Sequence, residues 1–191
     1  MTSNAFPDPP LQPLRFLLEG PPKVGKTVAM RRLVELLREH GVAVSGFVTD
    51  EIRERDRRVG FVVRDVAGSE AVLAHQDFQT GVQVSRFGVD VPAFERVALP
   101  ALRCAQETGG AVIIDELGRM ELASAPFVAA VETLLASSLP VVATVHVYGH
   151  PVTDALKRRA DVQRVAVTEA NRDELPARLF RQLTGSAGRA G

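Results

Sequence analysis

Gly20-Pro21-Pro22-Lys23-Val24-Gly25-Lys26-Thr27 decides the reading of this chain. The octet fits G-x-x-x-x-G-K-[ST], the spacing of a phosphate-binding P-loop. The chemistry demands those residue types. Glycines let the backbone wrap tightly, so that several N–H groups converge on one anion. The helix that follows adds its positive end. Lys26 then reaches the β- and γ-phosphates of a nucleotide, and the Thr27 hydroxyl takes Mg²⁺. At average residue usage a chain this long meets the pattern by chance in roughly 1 case in 100. The flanks agree with it. Leu14–Leu18 is an apolar run too short for a helix and reads as a buried strand. Lys26–His40 carries Met30, Leu33, Val34 and Leu37 on one helical stripe, and Gly41 stands at the C-terminal cap position. Lys23 is read as facing solvent, the alternative being a second cation beside the phosphates.

Outward from this unit, strands and helices alternate. Val42–Thr49 and Val59–Val66 are β-rich, with the charged turn Arg53–Arg58 between them, and Glu70–His75 adds a further strand. Pro92 opens a helix reaching about Glu107, with a bend or break expected at Pro100, and Gly109-Gly110 ends it. Ser124 caps a helix that has Pro126 in its first turn and runs to about Ser137. Pro140–His146 is an apolar run, Thr153–Arg159 a helix, Val162–Thr168 a strand and Arg172–Leu183 a closing helix. Apolar runs between helices predict a mainly parallel sheet covered on both faces, an α/β fold of three layers. The middle, about 42–91, reads as a β-rich insertion or antiparallel edge. Strand order does not follow from the pattern. Residues 1–13, with four prolines, read as a disordered extension, 14–184 as the folded domain and 185–191 as a flexible tail.

The second chemical signal is Val112-Ile113-Ile114-Asp115-Glu116, an apolar strand ending in two acids. Paired with a P-loop it is the Walker B arrangement. Asp115 holds Mg²⁺, and Glu116 stands where P-loop hydrolases place the group that orients the attacking water. Weaker candidates surround it. Arg119, just past the acidic pair, is a candidate nucleotide contact. Arg53–Arg58 supplies either an arginine finger or a solvated hairpin tip of mixed charge. His146, at the end of an apolar run, is either a phosphate sensor or a hydrogen-bonded structural histidine. Cys104 is read as a small buried helix residue. No Cys/His cluster has zinc spacing.

Composition sets the frame. Lys and Arg number 23 and Asp and Glu 23, so the chain lacks the basic surplus of a protein that lives on bulk nucleic acid. Hydrophobic residues make 46% of the chain, which excludes a mainly disordered protein. No run approaches the ~18 apolar residues of a membrane span, and the proline-rich start has no apolar signal core. The single cysteine precludes an internal disulfide and fits a reducing compartment. These readings predict a cytoplasmic protein away from membranes.

Several segments together resemble the small cancer-related nucleoside triphosphatases. Besides the P-loop they are Gly46–Arg53, Gly60-Phe61, Phe87-Gly88-Val89, Ile114-Asp115-Glu116-Leu117-Gly118-Arg119-Met120-Glu121 and Asn171-Arg172-Asp173. The resemblance spans about residues 14–183. It implies a P-loop domain with a RecA-like core and slow Mg²⁺-dependent hydrolysis of ATP, GTP, CTP and UTP with little base preference. It implies nucleotide contacts from Gly20–Thr27 and from Val112–Arg119. Lys23 departs from the family's usual glycine, and Arg119 replaces what is often lysine. Two rival readings stand beside hydrolysis. One is a nucleoside or nucleotide kinase with Arg53–Arg58 or Lys157-Arg158-Arg159 as a lid. The other is a nucleotide-dependent switch with little turnover.

Overall fold

The computed structural model describes residues 14–187. The expected extension 1–13 and residues 188–191 of the expected tail lie outside the described residues. Strand β1 (Arg15–Glu19) enters the P-loop and helix α1 (Lys26–Glu39) leaves it. Strands β2 (Val44–Glu54), β3 (Arg57–Asp65), β4 (Glu70–His75), β5 (Gln83–Val84) and β6 (Phe87–Val89) follow, then helix α2 (Val91–Thr108). The chain continues through β7 (Ala111–Leu117), a single 3₁₀ turn (Glu121–Ala123), α3 (Ala125–Ala136) and β8 (Val141–Val145). It ends in α4 (Pro151–Lys157), β9 (Gln163–Ala166) and α5 (Leu175–Ala187). The last helix takes in Gly185, the first residue of the expected tail.

Among the described residues nine strands form one sheet in the order β5-β6-β4-β3-β2-β7-β8-β1-β9. The block β2-β7-β8-β1-β9 is parallel. The expected insertion is the antiparallel arm β3-β4-β6-β5, continuous with that block through β2. β2 serves both halves: Val44–Val48 pairs with β7, and Phe47–Glu54 pairs with β3.

Period-two alternation divides the strand side chains between two cores. Leu17, Val112, Ile114, Val141 and Ala143 face α2 and α3, meeting Phe94, Val97, Phe127 and Val131. Phe16, Leu18, Ile113 and Val142 face α1 and α5, meeting Met30, Leu33, Leu37, Leu179 and Leu183. Rings of Phe47, Phe94 and Phe127 pack mutually at 5.0–5.7 Å between centroids, joining β2, α2 and α3. The layers are thus helix, sheet, helix.

The Ser124 cap forms as the sequence predicts, and Asp90 caps α2. The Asp90 side chain accepts from the Ala93 N–H, and the Ser124 hydroxyl oxygen accepts from the Phe127 N–H. Pro100, expected to bend or break its helix, lies within the single helix α2. Pro100 and Arg96 sit on the exposed face, so the Arg96 carbonyl that loses its N–H partner meets water. Cys104 is exposed, correcting the buried reading. The buried stripe of α2 is Ala93, Phe94, Val97, Ala98, Ala101, Leu102 and Ala105, and position 104 faces away from it.

Gly46 is required where β2 crosses against β7. Its φ is +114°, and a Cβ there would lie 1.9 Å from the Ile113 carbonyl oxygen. Gly46→Ala therefore costs about 3 kcal/mol or more, through backbone strain and forced separation of two central strands. Urea unfolding reads this as a lowered midpoint with an unchanged slope.

Candidate active site

Parallel strands bring their C-terminal ends to one edge of the sheet, where loops gather around a common crevice. Here β1 delivers the P-loop, β7 delivers Asp115 and Glu116, and β8 delivers Thr144 and His146. The far end of β2 and the arm close the other side. The resulting cleft has a volume of about 1390 Å³.

The P-loop is shaped by contacts that forbid larger residues. A Cβ at Gly20 would meet the Val167 carbonyl oxygen at 2.9 Å. Gly25 has φ +109°, and Arg172 crosses over it while its guanidinium donates to the Val24 carbonyl. Lys23 is exposed and holds φ +65°, a left-handed backbone that glycine adopts at no steric cost. The side chain is exposed at the rim of the cleft. Lys26 is buried, and its ammonium donates to the carbonyls of Gly20 (2.9 Å) and Pro21 (3.3 Å). It also lies 3.9 Å from Glu116 Oε2.

Asp115 is only 1% exposed. Its Oδ1 accepts from the Thr144 hydroxyl on β8, and among the described residues its Oδ2 has no hydrogen-bond partner. Burial pushes its carboxyl up to about 6. Hydrogen bonds from Thr144 and Thr27 oppose that, the Glu116 charge adds to it and the Lys26 charge opposes it. Glu116 is raised by burial and lowered by Lys26. The Asp115–Glu116 peptide is cis.

Of the expected site residues, Pro22, Lys23, Gly25, Lys26, Thr27 and the run from Asp115 to Arg119 line the cleft. Val112, Ile113 and Ile114 do not. They are fully buried, two in one core and one in the other, and they serve to bring Asp115 to the edge. Val24 is buried in the α1–α5 core, and Gly20 and Pro21 lie outside the cleft lining. Arg119 is exposed on the cleft wall. In the charged turn, Arg53 and Arg58 both face the cleft and share Glu51, at 2.6 and 2.7 Å. His146 lines the cleft, stacked on Tyr148 with ring centroids 4.4 Å apart. Its pKa is lowered by burial, then by the charges of Lys26, Lys157 and Arg119. In the basic run 157–159, Lys157 and Arg159 are each held by partners and Arg158 is exposed. Lys157 pairs with Glu19 at 2.7 Å and donates to the His146 carbonyl, and Arg159 holds Asp161 and the Leu135 carbonyl.

A family model described as NTPase matches residues 15–180. The chain belongs to the nucleoside-triphosphatase family. A nucleoside-triphosphatase THEP1 from Thermofilum pendens is 40% identical over 177 residues, 91% of this chain and 97% of that protein. A cancer-related nucleoside-triphosphatase homolog from Mus musculus is 37% identical over 171 residues, 83% of this chain and 90% of that protein. The crystal structure of THEP1 from Aquifex aeolicus superimposes with a TM-score of 0.81 at 28% identity, over 89% of this chain and 99% of that one. The solution structure of a human cancer-related nucleoside triphosphatase gives 0.78 at 33% identity, over 91% and 98%. The fold is that of the P-loop NTPases, as the sequence predicts. Among the described residues no helix is long and apolar enough to cross a membrane.

The nucleoside-triphosphatase site also holds groups that sequence reasoning left without a role. Thr144 was visible only as one hydroxyl in an apolar run. Glu121 stood in the family string with no chemistry attached. It is buried against the cleft, 5% exposed. A Cβ at Gly118 would lie 2.7 Å from Glu121 Oε2 and 3.2 Å from Glu116 Oε1, so both carboxyls crowd that glycine.

Burial, then the Glu116 charge, pushes Glu121 up to about 8 from 4.5. A raised carboxyl stabilises the fold at low pH. That contribution is complete below the unfolded pKa and is lost as pH rises toward the folded one. Stability of the nucleotide-free protein therefore falls between pH 5 and pH 8. Glu121→Gln, which stays neutral, removes up to about 1.4 kcal/mol of that slope per pH unit. Thermal unfolding across this range should show the variant gaining on the wild type as pH rises.

Proposed function

We propose that this nucleoside-triphosphatase hydrolyses ATP, GTP, CTP and UTP to diphosphate and phosphate with Mg²⁺ and low base selectivity, on the face built by Lys26, Thr27, Asp115 and Glu116. The observation that carries this is convergence. A buried ammonium, a hydroxyl and two carboxylates meet at the ends of β1 and β7, the parallel strands that flank β8, beside a glycine loop of P-loop sequence. The neutral overall charge and the single cysteine support a cytoplasmic protein acting on free nucleotides.

The donor set fits a hard divalent cation. Asp115 Oδ2 is buried with no hydrogen-bond partner, and the Thr27 hydroxyl adjoins the same carboxylate. Mg²⁺ takes oxygen ligands and is held by one or two protein groups plus substrate phosphates. When bound, it would neutralise charge on the β- and γ-phosphates. Thr27 and Asp115 are the residues that would hold it.

The remaining work falls to the chain itself. Loop N–H groups and the first turn of α1 cradle the phosphate oxygens. Lys26 supplies positive charge at the reacting end, in a pocket where burial strengthens it. Glu116 orients water for in-line attack: the water oxygen bonds to the γ-phosphorus, the bridging P–O bond breaks, and the water's proton passes to Glu116. Burial raises the affinity of that carboxylate for a proton, which suits the role near neutral pH. His146, its pKa lowered, remains neutral at pH 7 and adds a polar ring nitrogen to the same wall.

The experiment is phosphate release from the four triphosphates with Mg²⁺ and no acceptor. Wild type should release phosphate from all four, and chelation of the metal should stop it. Lys26→Ala and Glu116→Gln should each reduce the rate by about 10²-fold or more. Unchanged release in Glu116→Gln removes its assigned role. Tight nucleotide binding by the wild type without release overturns hydrolysis.

A further inference from the structure

Asn171-Arg172-Asp173 lies in the loop between β9 and α5 and takes no part in the phosphate chemistry above. That loop, residues 167–174, nevertheless packs on the P-loop. A Cβ at Gly20 would meet the Val167 carbonyl oxygen at 2.9 Å. A Cβ at Gly25 would meet Cδ, Cβ and Cγ of Arg172 at 3.1, 3.8 and 3.9 Å. The hydrocarbon stem of Arg172 therefore lies along the second glycine of the octet. Its guanidinium reaches on to donate to the Val24 carbonyl at 3.3 Å. A guanidinium carries five N–H donors, so most remain unused there. Among the described residues no carboxylate pairs with Arg172, and its neighbour Asp173 faces Arg32 instead, at 3.8 Å.

The sheet order shows which part of a nucleotide meets this side chain. Lys26 serves the β- and γ-phosphates of a P-loop ligand, and its ammonium lies 3.9 Å from Glu116 on β7. The reacting end of a bound triphosphate is thereby directed toward β7. From β1 the strands run β8 and then β7 on one side, with β9 on the other. The nucleoside end, led away from β7, leaves the loop on the β9 side, where Arg172 stands. The large cleft belongs to the reacting side, and none of residues 167–174 lines it.

An arginine held in this way suits a base of any kind. Stem and guanidinium present an apolar, weakly hydrated surface that stacks on an aromatic face without reading its edge. Half-buried and tethered to Val24, the side chain has less rotamer freedom to lose when a ligand arrives. Asn171, the amide beside it, is taken up by the loop itself. Its Oδ1 accepts from the Thr168 N–H at 2.9 Å, and its Nδ2 donates to the Ala166 carbonyl at 2.8 Å. It fixes the loop and leaves no matched donor and acceptor for a base edge, which is what strong selection among bases requires.

We infer that Arg172 is the base platform of this enzyme: its side chain, tethered to the P-loop through Val24, stacks against the base of any nucleoside triphosphate and supplies affinity for the nucleoside without selecting among bases. The inference rests on the P-loop reading proposed above and names the residue behind its low base selectivity.

Inorganic tripolyphosphate carries the phosphates without a nucleoside, so it separates a base contact from a brace on the loop. Calorimetric titration with Mg²⁺ compares it with the β,γ-imido analogues of ATP, GTP, CTP and UTP. Arg172→Ala should weaken all four analogues roughly tenfold, the scale of one lost stacking contact, while tripolyphosphate stays within about twofold. Arg172→Lys keeps a stem and a donor for the Val24 carbonyl and should fall between the wild type and Arg172→Ala. Retained tripolyphosphate binding shows that the variants fold. Equal losses for tripolyphosphate and the analogues overturn the inference, since Arg172 then only braces the loop. Unchanged affinity for the analogues overturns it too, as does a loss confined to one base, which marks edge reading. A wild type that binds neither tripolyphosphate nor any analogue fails the P-loop reading itself, and the platform falls with it.

Discussion

A carboxylate at the end of the central strand governs the rest of this structure. Asp115 is 1% exposed, on β7 between β2 and β8. Ionised, it costs the fold on the order of 3 kcal/mol, the equivalent of its rise from 3.8 to about 6. Only close partners hold that cost so low. Thr144 reaches it from β8, Thr27 reaches it from α1, and the Lys26 ammonium stands nearby. Each of these partners is itself fixed by the sheet. Parallel pairing of β7 with β8 brings Thr144 alongside, and pairing of β8 with β1 sets where the P-loop begins. The two apolar cores then offset, through side chains far from the cleft, what the cleft gives up.

The parts of the fold that were legible in sequence are those set by short-range rules. The P-loop, the stripe of α1 and the cap at Ser124 depend on residues within a few positions of one another. Strand order depends on pairings far apart in the chain, such as β1 with β8 and β2 with β7, and no local period encodes it. β5 and β6, with two and three residues, are too short to show alternation at all. Cys104 is a different case. The buried stripe of α2 was readable, and position 104 falls off it, so its exposure followed from the same period that predicted the helix.

The site was legible where chemistry and spacing coincide, and illegible where a role arises only from folding. Lys26 and Asp115 carry their signals in their own segments. Val112, Ile113 and Ile114 entered the expected site through the family resemblance, and alternation sends their side chains to opposite cores. Glu121 shows the converse. In sequence it is one more acid near the cleft. In the fold it shares the space above Gly118 with Glu116, and this crowding, with burial, makes it hold its proton to a higher pH than any exposed glutamate would.

The arm depends on the same frame. Its antiparallel ladder continues from β2, whose first half is locked into the parallel block. Its apolar face joins the main core: Val63, Leu73, Ala74, Phe87 and Val89 are buried together with Phe94 and Val97 of α2. Toward the P-loop helix, Val48 and Val66 pack against the α1–α5 core, and ion pairs add to this. Arg31, four residues after Thr27, pairs with Asp50 on β2, and Asp50 also takes Arg64 from β3. Pairs of this partly exposed kind contribute about 0–1 kcal/mol each, far less than the burial of those apolar side chains. Both walls of the cleft are therefore cast by the core, and the surface pairs only trim the outer edge of the arm.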